Sequence, residues 1–206
     1  MLYYRTIDSK ILELLKEIQK IDLFKDLRLV GGTSLALQIG HRISVDIDLF
    51  GKLDADRISI ISELKKIGEV KTLHYTDSIN VFIVNGIKVD IVNYPYPWLN
   101  TVINQDNLNL AGIKDIAAMK LAAIIGRGTM KDFIDLYFLL KQFSLNQILE
   151  FYKQKYKDGS VFLVLKSLSY FNDADLDVMP RMFDNIKWED IKKQISKELK
   201  EYIENN

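Results

Sequence analysis

Three aspartates, Asp46, Asp48 and Asp90, are the residues of this 206-residue chain whose type and spacing best suit chemistry. The first two lie in "SVDIDLF", which reads as a strand. Residues two apart on a strand point to one face, about 7 Å apart by strand rise, while Val45, Ile47 and Leu49 face the other way. Two like charges held that close resist ionising unless something positive sits between them. A divalent cation meets that need, and a chain with no Cys and two His offers oxygen donors, which favour Mg²⁺ or Mn²⁺ over Zn²⁺. Asp90 sits between Val89 and Ile91 in "GIKVDIVNY" and so faces opposite to them. If that strand lies beside the first, three carboxylates converge. Such a triad can hold two metal ions, one escorting phosphates and one lowering the pKa of an attacking hydroxyl. Asp90 would then help take the proton.

Upstream, Gly31 and Gly32 precede Thr33 and Ser34 at the start of a short helical stretch. Backbone N–H groups at a helix N-terminus form an anion site, glycines let a phosphate approach closely, and the two hydroxyls add donors. The segment lacks the glycine-rich loop ending in Lys-Ser/Thr and lacks G-x-G-x-x-G, so the P-loop and Rossmann readings fail. Duller readings stand beside these. Gly31-Gly32 can be a tight strand-to-helix connection, and Asp46 and Asp48 can be solvated charges on an edge strand.

The elements that must position these groups follow from periodicity. Residues 7 to 21 repeat apolar groups at helical spacing. "LRLV" (27–30) reads as a strand, "TSLALQIG" as a helix and "SVDIDLFG" as a second strand. Residues 54–67 are helical again, with Asp54 or Asp56 as cap. From 69 to 94 the pattern is β, and Asn85-Gly86 marks a hairpin. "YPYPW" (94–98) ends it. After about residue 112 every window reads helical, and the polar, Asn-rich stretch 100–112 reads as a linker. The organisation expected is an α+β domain with a small mixed sheet over 1–100, followed by a helical domain over 113–206.

The helical half carries a second set of charged residues. On an idealised continuous helix Lys120, Arg127 and Lys131 fall within about 40° of one another, a basic stripe suited to phosphates, although the break at 126–129 points to two helices. Each also has a structural reading: Asp132 as capping-box partner of Thr129, Asp135 as a surface partner of Lys131, and Lys120 as a side chain reaching solvent from an apolar stretch.

Gly31-Gly32-Thr33, then "HRISVDID", then a later strand Asp, resembles the catalytic motif of polymerase-beta-like nucleotidyltransferases. More narrowly, "GGTSLAL" with "HRISVDIDLF" and "KDIAAMKLAAIIGRGTMKDFIDLYFLL" is similar to the AbiEii/AbiGii toxin family, the nucleotidyltransferase-like toxins of bacterial abortive-infection systems. The resemblance spans roughly residues 27 to 142, and the pair reads Gly-Gly rather than Gly-Ser. It implies that Gly31, Gly32, Thr33 and Ser34 hold the triphosphate, and that Asp46, Asp48 and Asp90 hold the metals. It also implies that Lys120 and Asp132 serve catalysis while Arg127, Lys131 and Asp135 bind the nucleotide. The helical domain would close over that nucleotide. The implied role is a toxin with a cognate antitoxin and tRNA as acceptor.

Composition sets the outer limits. There are 28 basic and 28 acidic residues, so the chain lacks the footprint of a nucleic-acid coating protein, while a local basic groove stays possible. Without cysteine there is no disulfide, thiolate site or Cys nucleophile. The charged start does not read as a signal peptide, and no apolar run suits a membrane. A cytoplasmic protein with no membrane partner is expected. The reaction expected is Mg²⁺-dependent transfer of a nucleoside monophosphate from an NTP to a hydroxyl, with pyrophosphate leaving. Its rivals are a nucleotide-binding module without catalysis, a metal-dependent phosphoesterase or nuclease, and a transferase of the terminal phosphoryl group.

Overall fold

The computed structural model describes residues 1–205. The chain divides into two units, one of residues 1–96 and 101–111, the other of 97–100 and 112–206.

The first unit is built on a seven-stranded sheet in the order β3-β4-β5-β2-β1-β7-β6. Its strands are β1 (Arg28–Leu29), β2 (Ile47–Gly51), β3 (Val70–Tyr75), β4 (Ile79–Val84), β5 (Ile87–Asn93), β6 (Ile103–Gln105) and β7 (Leu108–Leu110). Helices α1 (Ser9–Lys20), α2 (Gly31–Ile39) and α3 (Arg57–Lys65) accompany them. α1 begins where Asp8 caps the amide of Lys10, and α3 where Asp56 caps that of Ser59, because a carboxylate there satisfies an otherwise orphaned N–H. The central strands β2 and β5 run parallel and pair Ile47 with Val89, Asp48 with Asp90 and Leu49 with Ile91. Strict alternation buries Ile47, Leu49, Val89 and Ile91 completely, in one core cluster with Leu14, Leu15 and Ile18 of α1. That burial drives the register, since a slip by one residue would turn both aspartates into the core.

Two expectations are corrected here. Residues 100–112 are not a linker: β6 and β7 form a hairpin, and β7 runs parallel to β1. Asp106 and Asn107 both adopt positive φ, 55° and 63°, as a two-residue type I′ turn requires. Leu108 and Leu110 are fully buried, and Gln19 brackets Asn109 from both sides, donating to its carbonyl and accepting from its amide. The Asn-rich composition masked a strand whose alternate residues carry the apolar burden. Second, the strand holding Asp48 begins at Ile47, so Asp46 lies in the irregular stretch before it, and Val45 is exposed rather than aligned with Ile47 and Leu49.

The second unit contains α4 (Ile113–Gly126), α5 (Met130–Leu140), α6 (Leu145–Lys155), α7 (Val161–Leu168) and α8 (Trp188–Glu204). α4 packs against α5, α6 and α7 through Ile116, Ala117, Leu121 and Ile124, all buried. Phe133, Phe171 and Trp188 close its other side with ring centroids 4.9–6.1 Å apart. Residues 97–100 belong to this unit because Asp115 accepts the amides of Leu99 and Asn100 at 2.8 and 2.9 Å. Lys155, fully buried, donates to both Asp115 and the Pro97 carbonyl at 2.8 Å.

Candidate active site

In the sheet unit the site is assembled from β2, β5 and the start of α2. Asp48 and Asp90 are register partners on adjacent parallel strands, and both are partly exposed. Neighbouring strands lie about 4.8 Å apart, so the two carboxylates leave the same face side by side. Asp46, also partly exposed, precedes them in the irregular stretch. Among the described residues no three acidic or imidazole groups are gathered closely enough to hold an ion as a set.

α2 starts at Gly31 rather than after the glycine pair, and its N-cap, Val30, supplies no side-chain hydrogen bond to the first-turn amides. Gly31 has φ +67°, a conformation that costs L-residues with side chains. A Cβ there would fall into the Asp48 carboxylate, 3.1 Å from Cγ and closer still to Oδ2. Glycine at this position is therefore set by two constraints at once, the backbone angle and the approach of Asp48. The helix dipole favours negative charge at this end, whether carboxylate or phosphate.

Thr33 and Ser34 are placed differently from their expected role as phosphate donors. Both are buried. The Thr33 hydroxyl is hydrogen-bonded to Ser44 Oγ at 2.9 Å and to the carbonyl oxygen of Asp46, and the Ser34 hydroxyl accepts from Gln38 Nε2 at 3.0 Å. Thr33 thus fixes the stretch that carries Asp46. Of the GGTS segment, the backbone at Gly31 approaches Asp48 and the two hydroxyls face inward.

One residue missed in the sequence is Lys88. Its ammonium donates to both carboxylate oxygens of Asp90, at 2.7 and 2.6 Å. The signal available was its position two residues before Asp90 in "IKVDI", which puts both on one strand face.

In the helical unit the charged residues form a sealed cluster rather than a stripe. Lys120 Nζ lies 2.9 Å from Asp132 Oδ1 and 2.6 Å from Asp135 Oδ2, and all three side chains are at most 5% exposed. Arg127 donates through Nε and Nη2 to the two oxygens of Asp132 at 2.9 and 3.0 Å, while its own side chain is 65% exposed. Thr129 Oγ1 donates to Asp132 at 2.7 Å. Burial opposes ionisation of Asp132, but Lys120 and Arg127 outweigh it and hold the carboxyl far below the usual carboxylate range.

Three structural readings are corrected by this cluster. Thr129 does not cap α5 through its side chain; the amide of Met130 is capped instead by Asp177 at 2.8 Å. Asp135 pairs with Lys120, not with Lys131, which is exposed. Lys120 does not snorkel to solvent. Arg127 also lines a cavity of about 560 Å³ with Ile124, Leu163, Lys166 and Tyr170.

A sheet that pairs aspartates in register, beside a helix opened by a positive-φ glycine, has the fold of the nucleotidyltransferases. The chain belongs to a specific family within that class: the model of the nucleotidyl transferase AbiEii toxin, of type IV toxin–antitoxin systems, matches residues 13–205. It is 34% identical over 201 residues to an uncharacterised protein of Aquifex aeolicus, covering 94% of this chain and 96% of that one. Among solved structures, a candidate nucleotidyltransferase of H. pylori aligns with TM-score 0.62 at 20% identity, covering 94% of each chain. The nucleotidyltransferase toxin MenT4 of Mycobacterium tuberculosis aligns with TM-score 0.55 at 17% identity, covering 91% of this chain and 80% of that one. The protein is thus a nucleotidyltransferase toxin, and its family implies an NTP substrate and an antitoxin partner. Among the described residues no helix is long and apolar enough to cross a membrane.

Proposed function

We propose that the protein transfers a nucleoside monophosphate from an NTP to a hydroxyl of tRNA, in a Mg²⁺- or Mn²⁺-dependent reaction in the cytoplasm, with pyrophosphate leaving. The observation that carries this reading is the in-register pair Asp48 and Asp90 beside the N-terminus of α2. The donor set fits a hard cation: the carboxylates are adjacent and partly exposed, and an ammonium is already seated on one of them. Asp48 and Asp90 would hold the ion between them, while Asp46, in the irregular stretch before β2, is not gathered into the same set. When bound, it supplies neutralisation of the triphosphate and a lowered pKa for the attacking hydroxyl.

The chain's own groups then divide the remaining work. The first-turn amides of α2, at Gly31 and Gly32, bind phosphate oxygens, and Thr33 holds the Asp46 segment in place. Asp90 accepts the proton of the acceptor hydroxyl. Arg127 and Lys131 offer exposed cations for the nucleotide, and the Lys120, Asp132 and Asp135 set fixes the guanidinium of Arg127 through its bidentate bond. The site residues act as two groups, one that touches substrate and one that positions.

The test is incubation with Mg²⁺, each α-labelled NTP in turn and total bacterial tRNA, with Asp48→Ala as control. Label moving to RNA only with the unmodified protein is the expected result. Product without NTP would instead indicate a nuclease, and NDP without pyrophosphate would indicate terminal phosphoryl transfer.

A further inference from the structure

Lys88 has no part in the scheme above, yet its ammonium occupies the carboxylate that the scheme assigns to a metal. β5 alternates strictly, with Val89 and Ile91 fully buried on one face and Lys88 and Asp90 on the other. The Lys88 ammonium reaches Asp90 at 2.7 and 2.6 Å, bidentate, from two residues away on the same strand. Asp90 in turn faces Asp48 across the strand pair, so two carboxylates that repel one another are relieved by an internal cation. The contact is half-open: the side chains are 39% and 21% exposed. Pairs exposed to that degree are weak, and a lysine on a flexible stem leaves its partner readily. A divalent ion at the same oxygens brings twice the charge and can engage Asp48 as well.

We propose that Lys88 is a built-in counter-cation of the metal site: it holds Asp90 in the ion-free protein and withdraws when a divalent ion binds, so that ion loading and Lys88 release are one linked step. This rests on the metal-binding reading above. Lys88 is a positioning residue here, acting through Asp90 and setting how tightly the site takes its ion.

The test measures Mn²⁺ binding to the full chain by the electron paramagnetic resonance of free Mn²⁺, without nucleotide, so that turnover plays no part. Lys88→Met keeps the stem and removes the competitor, and should bind Mn²⁺ about five-fold more tightly than the unmodified protein. Lys88→Arg keeps a cation within reach and should restore affinity to within about two-fold of the original. Adding Asp48→Ala to Lys88→Met should remove the gain, which places the effect at this site. Thermal melts in EDTA check that each variant folds, and the upward shift in Tm on adding Mn²⁺ should be larger for Lys88→Met. Unchanged or weaker binding by folded Lys88→Met, with binding lost when Asp48→Ala is added to it, would overturn the role of Lys88 and leave the metal site standing. Absence of Mn²⁺ binding in every protein would overturn both together.

Discussion

The two charged clusters use the same residue types to opposite ends. In the sheet unit Asp48, Asp90 and Lys88 sit on a strand face that remains partly exposed, and the ion pair of Lys88 with Asp90 is half-open. In the helical unit Lys120, Asp132 and Asp135 are sealed between α4 and α5, and Arg127 alone of that cluster extends into solvent. Removing a partner from a buried ion pair leaves an uncompensated charge in a low dielectric, which costs several kcal/mol. Removing a partner from an exposed pair costs little. Burial, more than residue identity, therefore separates a charge available for substrate from one that holds helices together.

The sharpest way to break that comparison is to delete one aspartate from each cluster. Asp132→Ala should lower unfolding free energy by about 2–4 kcal/mol in urea titrations, because the buried ammonium of Lys120 loses one of its two carboxylates and Arg127 and Thr129 lose the acceptor they share. Asp48→Ala should change stability by less than about 1 kcal/mol while turnover on labelled NTP falls about a thousandfold, the loss of several kcal/mol of transition-state stabilisation. Equal stability losses in the two variants would erase the distinction.

Gly31→Ala tests the point where backbone and carboxylate meet. The positive φ and the overlap with Asp48 should together cost about 1–3 kcal/mol of stability, read from the same urea titrations, and should lower turnover by displacing Asp48. A smaller effect is expected from acid. The Asp132 carboxyl is depressed by Lys120 and Arg127 despite its burial, so its contribution is complete above its unfolded pKa of about 3.9. It is lost as pH falls below that value toward the folded pKa. Urea titrations between neutral pH and pH 3 should therefore show a steeper stability loss for the unmodified protein than for Asp132→Asn. The smallest effect is expected at Lys131, exposed on the first turn of α5. Lys131→Ala should leave stability within about 0.5 kcal/mol and raise KM for NTP.

How far the sequence could be read depended on the range of each signal. Asp48 and Asp90 were legible because strand alternation is local, and Asn85-Gly86 marked its turn because positive φ at both residues, 51° and 81°, has few sequence solutions. The hairpin of β6 and β7 was not legible, because Asp106-Asn107 is a weaker version of the same signal and the strands on either side are short and rich in Asn. Lys120, Asp132 and Asp135 could be picked out as unusual in an apolar stretch. Their mutual pairing required α4 and α5 to fold back on one another across the Gly128 turn, where φ is +52°.

By itself the sequence determined the alternation that sets Asp48 and Asp90 opposite the apolar residues of their strands, the Asn85-Gly86 turn, and that a glycine pair, a helix and strand aspartates occur in the order a nucleotidyltransferase needs. Those properties follow from near-neighbour sterics and the two-residue period of the pleat. Only the tertiary structure decided which charges are open and which are sealed, that Thr33 and Ser34 turn inward, that Lys88 lies on Asp90, and that residues 97–100 belong to the helical unit. Burial and ion pairing are set by groups far apart along the chain, and no local pattern encodes the dielectric in which a side chain comes to rest.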